Sequence, residues 1–388
     1  MTRFDELINR KNTDSLKYDF AVQRGKPEDV IPLWVADMDF QAPPAVLEAL
    51  ARRSHHGIFG YSEPLADYFS ALESWFARNH GWSIQEEWLV KTPGVVFAIC
   101  TAIRAFTQKG DAVLIQQPVY YPFSSSVLRN ERKLVVNQLA YESGRYTIDF
   151  DDFESKIVHH GVKLFILCNP HNPVGRVWSR KELERLGDIC VRHGVIVIAD
   201  EIHHDFVYPG HKHLVFSALK PEYAPITITC TAPTKTFNLA GLQISNIFIP
   251  DPTLRSAFSR AISRAGYSQL NTMGIVACRA AYANGQAWLD ALRSYLLENL
   301  NFVRSFLLQR LPQIRLVEPE GTYLIWLDFR SLSLPESALD ARIVNESKLW
   351  LDAGSMFGAG GEGFQRINIA CPRSILEGAL TRLAQTFG

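Results

Sequence analysis

From residue 112 to 250 the chain alternates short apolar runs with longer stretches of helical periodicity. AVLIQQP (112–118), KLFILCNP (163–170), VIVIADE (195–201), ITITCTA (226–232) and SNIFIP (245–250) are blocks of apolar or β-branched residues. Runs that are apolar on both faces suit strands of a parallel sheet covered by helices. Between two of them lies SRKELERLGDICVRHG (179–194). Ser179 and Glu182 read as a capping box, Leu183, Leu186, Ile189 and Cys190 form one apolar stripe, and Gly194 stops the helix. This is a strand–helix–strand unit, expected to cross over right-handed.

The pattern changes towards the ends. QAWLDALRSYLLENLNFVRSFLLQRL predicts a long amphipathic helix from 286, TYLIWLDF and RINIA predict two strands, and a last helix opens at Ser374 with a second capping box, Ser374 and Glu377. The predicted fold class is α/β. A large domain over 46–285 holds a mostly parallel sheet covered by helices, and a smaller α+β domain is built from 1–45 and 286–388.

Composition narrows the function classes. The 388 residues include 40 basic and 40 acidic side chains, so the net charge is zero. Neither nucleic acid nor an anionic membrane is expected as a partner, since both favour a basic excess. MTRFDELINRKN lacks the apolar core of a secretory signal, and no run reaches the length of a membrane span, so a cytoplasmic location is expected. The six cysteines are scattered without a C-x-x-C pair and read as reduced core thiols, with no metal site or disulfide framework.

The chemistry gathers at the ends of the apolar runs, where ligands of open α/β sheets bind. NPHNPVG (169–175) follows KLFILC, Asp200 closes VIVIA, QPVYYPF (117–123) follows AVLI, and Lys235 follows ITITCTAPT. Each residue has a plainer reading: Asp200 as a helix N-cap, Asn172 as a turn residue, Tyr120 and Tyr121 as packing aromatics, His203 as a structural histidine. Lys235 is the hardest to read plainly. Its nearest charged neighbours in sequence are Glu222 and Asp251, and an isolated buried ammonium is costly.

Eight landmarks in order carry a resemblance that spans essentially the whole chain: PLWVADMDF (32–40), GIFGYS (57–62), TPGVVFAI (92–99), QPVYYPF, NPHNPVGRVW (169–178), DEIHHDF (200–206), TKTFNLAGLQ (234–243) and INIACPRS (367–374). The sequence resembles the fold-type I pyridoxal phosphate (PLP) enzymes of the aspartate aminotransferase superfamily. Within them it is most similar to the cystathionine β-lyase branch typified by MalY, PatB and cystalysin. The resemblance implies that Lys235 forms a Schiff base with the aldehyde of pyridoxal 5'-phosphate, which removes the isolated ammonium. It implies that Asp200 pairs with the pyridine nitrogen, Asn172 donates to the ring hydroxyl, His203 stands where many aminotransferases carry a tyrosine, and Tyr120 stacks on the ring. Gly94 and Val95, opening a helix, with Thr234, would hold the phosphate. The aminotransferase pattern also has a serine three residues before the lysine and an arginine eight after; here these are Ala232 and Gln243, so the phosphate cup differs. Tyr61 matches a tyrosine that reaches the phosphate of a neighbouring subunit, which implies a homodimer. Arg366 matches the residue that binds the substrate α-carboxylate, with Arg373 as the competing candidate.

The implied reaction on a small amino acid is β-elimination from cystathionine or a related cysteine S-conjugate, giving a thiol, pyruvate and ammonia. Lys235 would act as the base and Tyr121 would assist substrate positioning or leaving-group protonation. An aminotransferase would use the same residues with a 2-oxo acid acceptor. A binding or regulatory protein would not need Lys235, Asp200, Asn172 and Arg366 together. DMDF (37–40) and FGAGGEG (357–363) are expected to flank the entrance, the second as a flexible loop.

Overall fold

The computed structural model describes residues 4–388. Seven strands form the main sheet: β1 (Leu89–Thr92), β2 (Ala112–Gln117), β3 (Lys133–Gln138), β4 (Leu164–Cys168), β5 (Ile196–Asp200), β6 (Thr227–Thr231) and β7 (Ser245–Phe248). Their spatial order is β1-β7-β6-β5-β4-β2-β3. Strands β2 to β6 run parallel, while β7 runs antiparallel to both neighbours. SNIFIP thus differs in direction from the other apolar runs, because apolarity on two faces encodes burial and not orientation. The register sets Cys168 beside Asp200, and Asp200 beside Cys230, which lines up the carboxyl ends of three strands on one rim.

Helices cover both faces. They include α1 (Pro44–His56), α2 (Ala66–His80), α3 (Val95–Phe106) and α4 (Arg180–His193). The α4 capping box forms as read: Ser179 accepts from the Glu182 N–H, the Glu182 side chain returns to the Ser179 backbone, and Gly194 closes the helix at φ 63°. Leu183, Leu186, Ile189 and Cys190 are all buried.

Beyond the main sheet come α5 (Thr272–Asn284) and the long α6 (Gln286–Arg310). A second, antiparallel sheet has the order β8 (Arg315–Val317), β9 (Leu324–Asp328), β11 (Phe364–Asn368), β10 (Asp352–Ala353). Ile31–Pro32 pairs in parallel with Leu349–Trp350, which ties the first part of the chain to the last. The final helix α7 spans Arg373–Phe387 and its N-cap is Pro372, with no side-chain cap. The expected Ser374–Glu377 box therefore does not form. Proline pre-sets the backbone one step earlier, so Ser374 falls inside the first turn, where its hydroxyl cannot cap. No helix among the described residues is long and apolar enough to cross a membrane.

Candidate active site

A cavity of about 440 Å3 opens at the rim of the main sheet, and its wall includes Gly94, Val95, Tyr120, Asn172, Asp200, His203, Thr234 and Lys235. Five chain segments spread between residues 94 and 235 thus meet in one place, each at or just beyond the carboxyl end of a strand or at the start of a helix. Lys235 sits on the short turn Pro233–Thr236 that follows β6. In space the charges that act on it are Asp37, Arg366 and Asp200, none of them close in sequence. Burial dominates and pushes the Lys235 amine down to about 8. The turn is anchored from behind. Thr236 donates to Asp205 Oδ2 at 2.7 Å, and the other Asp205 oxygen accepts from Trp75 Nε1 at 3.2 Å and lies 3.0 Å from His80 Nε2.

Asp200 ends β5, and its carboxylate accepts only the Ile202 N–H, at 3.1 Å. No helix follows, so the N-cap reading gives way to a local turn. Burial pushes the Asp200 carboxyl up to about 7. His203, next along, is buried with Nδ1 lacking any partner, and burial together with Lys235 holds it well below the ordinary histidine range. Asn172 accepts from Arg366 Nη1 at 3.0 Å through Oδ1, and its carbonyl oxygen accepts from the Tyr120 N–H at 3.0 Å. Burial pushes the Tyr120 phenol upward, so it stays protonated.

Helix α3 points its first turn at the same cavity. Its N-cap is Gly94, no side chain caps it, and a Cβ at Gly94 would meet nothing within 4 Å. The early N–H groups of such a helix form an anion seat.

Three expected residues lie outside the wall. Arg366, on β11, reaches it through Asn172. Tyr121 packs beside Tyr120 at 5.5 Å and edge-on to Phe357 at 6.1 Å. Tyr61 is 94% exposed, on a stretch with Ile58, Phe59 and Leu65 also exposed. The competing Arg373 instead donates to Asn299 Oδ1 at 2.8 Å and lies over the Phe302 ring, away from the cavity. Gln243, at φ 50°, takes a place in the wall, as do Ala36 and Cys168, which sequence reading passed over.

The glycine-rich loop packs closely on its neighbours. A Cβ at Gly354 would fall 1.8 Å from the Gly361 carbonyl oxygen, and one at Gly358 would fall 2.2 Å from the Gln117 amide. The glycines serve close approach of backbone to neighbours. Asp37 and Asp39, the acids of DMDF, are engaged by Arg10, and Asp39 also by the buried Lys17 at 2.9 Å.

These features fit pyridoxal phosphate: an uncapped helix start for the phosphate, a buried carboxyl without a cation for the pyridine nitrogen, a buried orphan nitrogen on His203, and an amine of lowered basicity.

Comparison with known proteins agrees. The sequence profile of the aminotransferase class I and II family matches residues 28–383. The cystathionine β-lyase PatB of Bacillus subtilis is 45% identical over 380 residues, covering 98% of each chain. The structure of cystalysin from Treponema denticola, which contains pyridoxal 5'-phosphate, superposes with a TM-score of 0.96 at 38% identity, covering 100% of this chain and 98% of that one. A PLP-bound C–S lyase from Staphylococcus hominis superposes with a TM-score of 0.93 at 34% identity, covering 99% and 98%.

Proposed function

The chain belongs to the aminotransferase class I and II family, and we propose that it is a PLP-dependent carbon–sulfur lyase. It acts on cystathionine or related cysteine S-conjugates by β-elimination, releasing a thiol, pyruvate and ammonia. The observation that carries this reading is the meeting of Lys235, Asp200 and the uncapped start of α3 in one cavity, in a chain 45% identical to a cystathionine β-lyase.

When bound, pyridoxal phosphate supplies an aldehyde for the lysine and a ring that draws electrons from the substrate Cα. The chain does the rest. The Gly94 and Val95 N–H groups and the Thr234 hydroxyl would hold the phosphate, Tyr120 would cover the ring, Asn172 would donate to its hydroxyl and His203 would stand near it. Asp200 would pair with the pyridine nitrogen and favour its protonated form. Arg366 fixes the α-carboxylate. Lys235 would hold the aldehyde carbon, and its amine, when free, would serve as the base for the substrate Cα proton. A lowered pKa suits it, because a fraction of the amine is neutral near physiological pH. Tyr121, exposed at the rim, positions the substrate or returns a proton to the departing sulfur.

The active unit is a homodimer in which Tyr61 reaches the neighbouring site. Four large apolar side chains exposed together over 58–65 support this, since a patch of that kind marks an interaction surface.

The test is pyruvate release from L-cystathionine by protein loaded with pyridoxal phosphate, without any 2-oxo acid and with Lys235→Ala as control. Steady release that the variant loses supports the lyase. A requirement for a 2-oxo acid would overturn it in favour of transamination.

A further inference from the structure

Arg366 is not a free cation. Its Nη2 donates to the Trp34 carbonyl oxygen at 2.8 Å and to Asp352 Oδ2, and its Nη1 donates to Asn172 Oδ1. Asp352 faces it directly in the antiparallel register of β10 and β11, and both side chains are 3% exposed. Arg366 Nε is buried without a partner. A guanidinium has five N–H groups. Nε and one N–H of Nη1 therefore have no partner; they point from different edges of the guanidinium and do not form a single fork.

The charge balance has a consequence for specificity. Before substrate arrives the pair is neutral, and an α-carboxylate leaves the subsite net negative. A second anion on the substrate side chain meets the field of a buried aspartate. Both charges of the pair reach the rim: burial raises the Tyr121 phenol, Asp352 adds to that rise and Arg366 opposes it, and Tyr121 packs on Phe357, whose ring lies 4.9 Å from the Arg366 guanidinium carbon. Two further cations act here, Arg24 on Tyr121 and Lys26 on Asp352. Arg24 is exposed and Lys26 half-buried, so solvent and salt screen them more than the buried acid.

We propose that Asp352 is a positioning and specificity residue. It fixes Arg366 for the α-carboxylate and disfavours amino acids with a second negative charge beyond Cβ. The substrate class is then cysteine conjugates whose thiol fragment carries no net negative charge. This rests on the reading of Arg366 as the carboxylate binder.

The test uses holoenzyme and two substrates of matched length, S-propyl-L-cysteine and S-(2-carboxyethyl)-L-cysteine. Wild type is expected to favour the uncharged one by at least about tenfold in kcat/KM. Asp352→Asn narrows that ratio by at least about fivefold, chiefly through KM, and Asp352→Glu restores part of it. Equal use of both substrates by wild type, or an unchanged ratio in Asp352→Asn, overturns the proposal. Should wild type eliminate from neither, the lyase reading fails on its own, and calorimetric binding of L-norvaline against L-glutamate decides this one. Tighter norvaline supports it and equal or tighter glutamate overturns it. The wild-type comparisons stand even if the variants fold poorly.

Discussion

Asn238 holds Met38 from both sides: its Oδ1 accepts from the Met38 N–H at 2.9 Å and its Nδ2 donates to the Met38 carbonyl oxygen at 3.0 Å. The same nitrogen donates to the Phe40 carbonyl oxygen at 2.8 Å. From the opposite side Asn368 donates to the Val35 and Asp37 carbonyl oxygens at 2.7 and 2.8 Å. The segment 35–40 therefore joins the lysine turn to the strand that carries Arg366.

Asn238→Ala removes all three bonds of this bracket and places alanine at φ 58°, where asparagine is better tolerated. Stability is expected to fall by about 2 kcal/mol or more, read from the urea midpoint. KM should rise as well, because Ala36 on the same segment lines the cavity.

The cofactor-free protein should show two opposite pH trends. Asp200 is pushed up to about 7 from 3.8, so the native state keeps a proton that the unfolded chain releases. Stability then falls as pH rises between those values. Lys235 is pushed down to about 8 from 10.5, so the unfolded chain keeps the extra proton and stability rises with pH across that window. Melting temperatures over pH read both. Asp200→Asn should flatten the acid trend and Lys235→Met the alkaline one, and saturation with cofactor should diminish each.

If Tyr61 serves the partner's site, two crippled variants repair each other. Tyr61→Ala and Lys235→Ala, unfolded together and refolded in equal amounts, should regain about a quarter of wild-type activity, because half of the dimers hold one intact site. No recovery, in mixtures shown to exchange subunits, removes Tyr61 from the neighbouring site.

Gly354→Ala should be among the most damaging single changes in the chain. Its Cβ has no room beside the Gly361 carbonyl oxygen, and a loss of about 3 kcal/mol or more is expected. Gly241→Ala, where a Cβ meets nothing within 4 Å, should cost less than about 1 kcal/mol. Thermal melting of the two side by side checks the contrast.

The five inner strands of the main sheet were legible because burial on both faces demands unbroken apolar runs. The edges, Leu89–Thr92 and Lys133–Gln138, were not. They are only partly covered, and their mixed composition resembles loop. Lys235, Asp200, Asn172 and Tyr120 could be read from their places after strands and from family landmarks. Asp352 could not: its partner is fourteen residues away across a β ladder, and no local periodicity encodes such a pairing. The Ser374 box failed for a related reason. A motif of matching letters does not say which residue starts the helix, and Pro372 decided it.

The pairing of Ile31–Pro32 with Leu349–Trp350, and the bond from Arg366 to the Trp34 carbonyl oxygen, impose an order on synthesis. A ribosome delivers residue 34 more than three hundred residues before residue 366. A nascent chain that has emerged as far as β7 has all seven strands of the main sheet, and Lys235 with them, while its opening segment still waits for partners. The surroundings of Arg366 close only when β11 arrives. A chain halted before β11 would carry Lys235 without Arg366, and Trp34 without the bond that Arg366 makes to it.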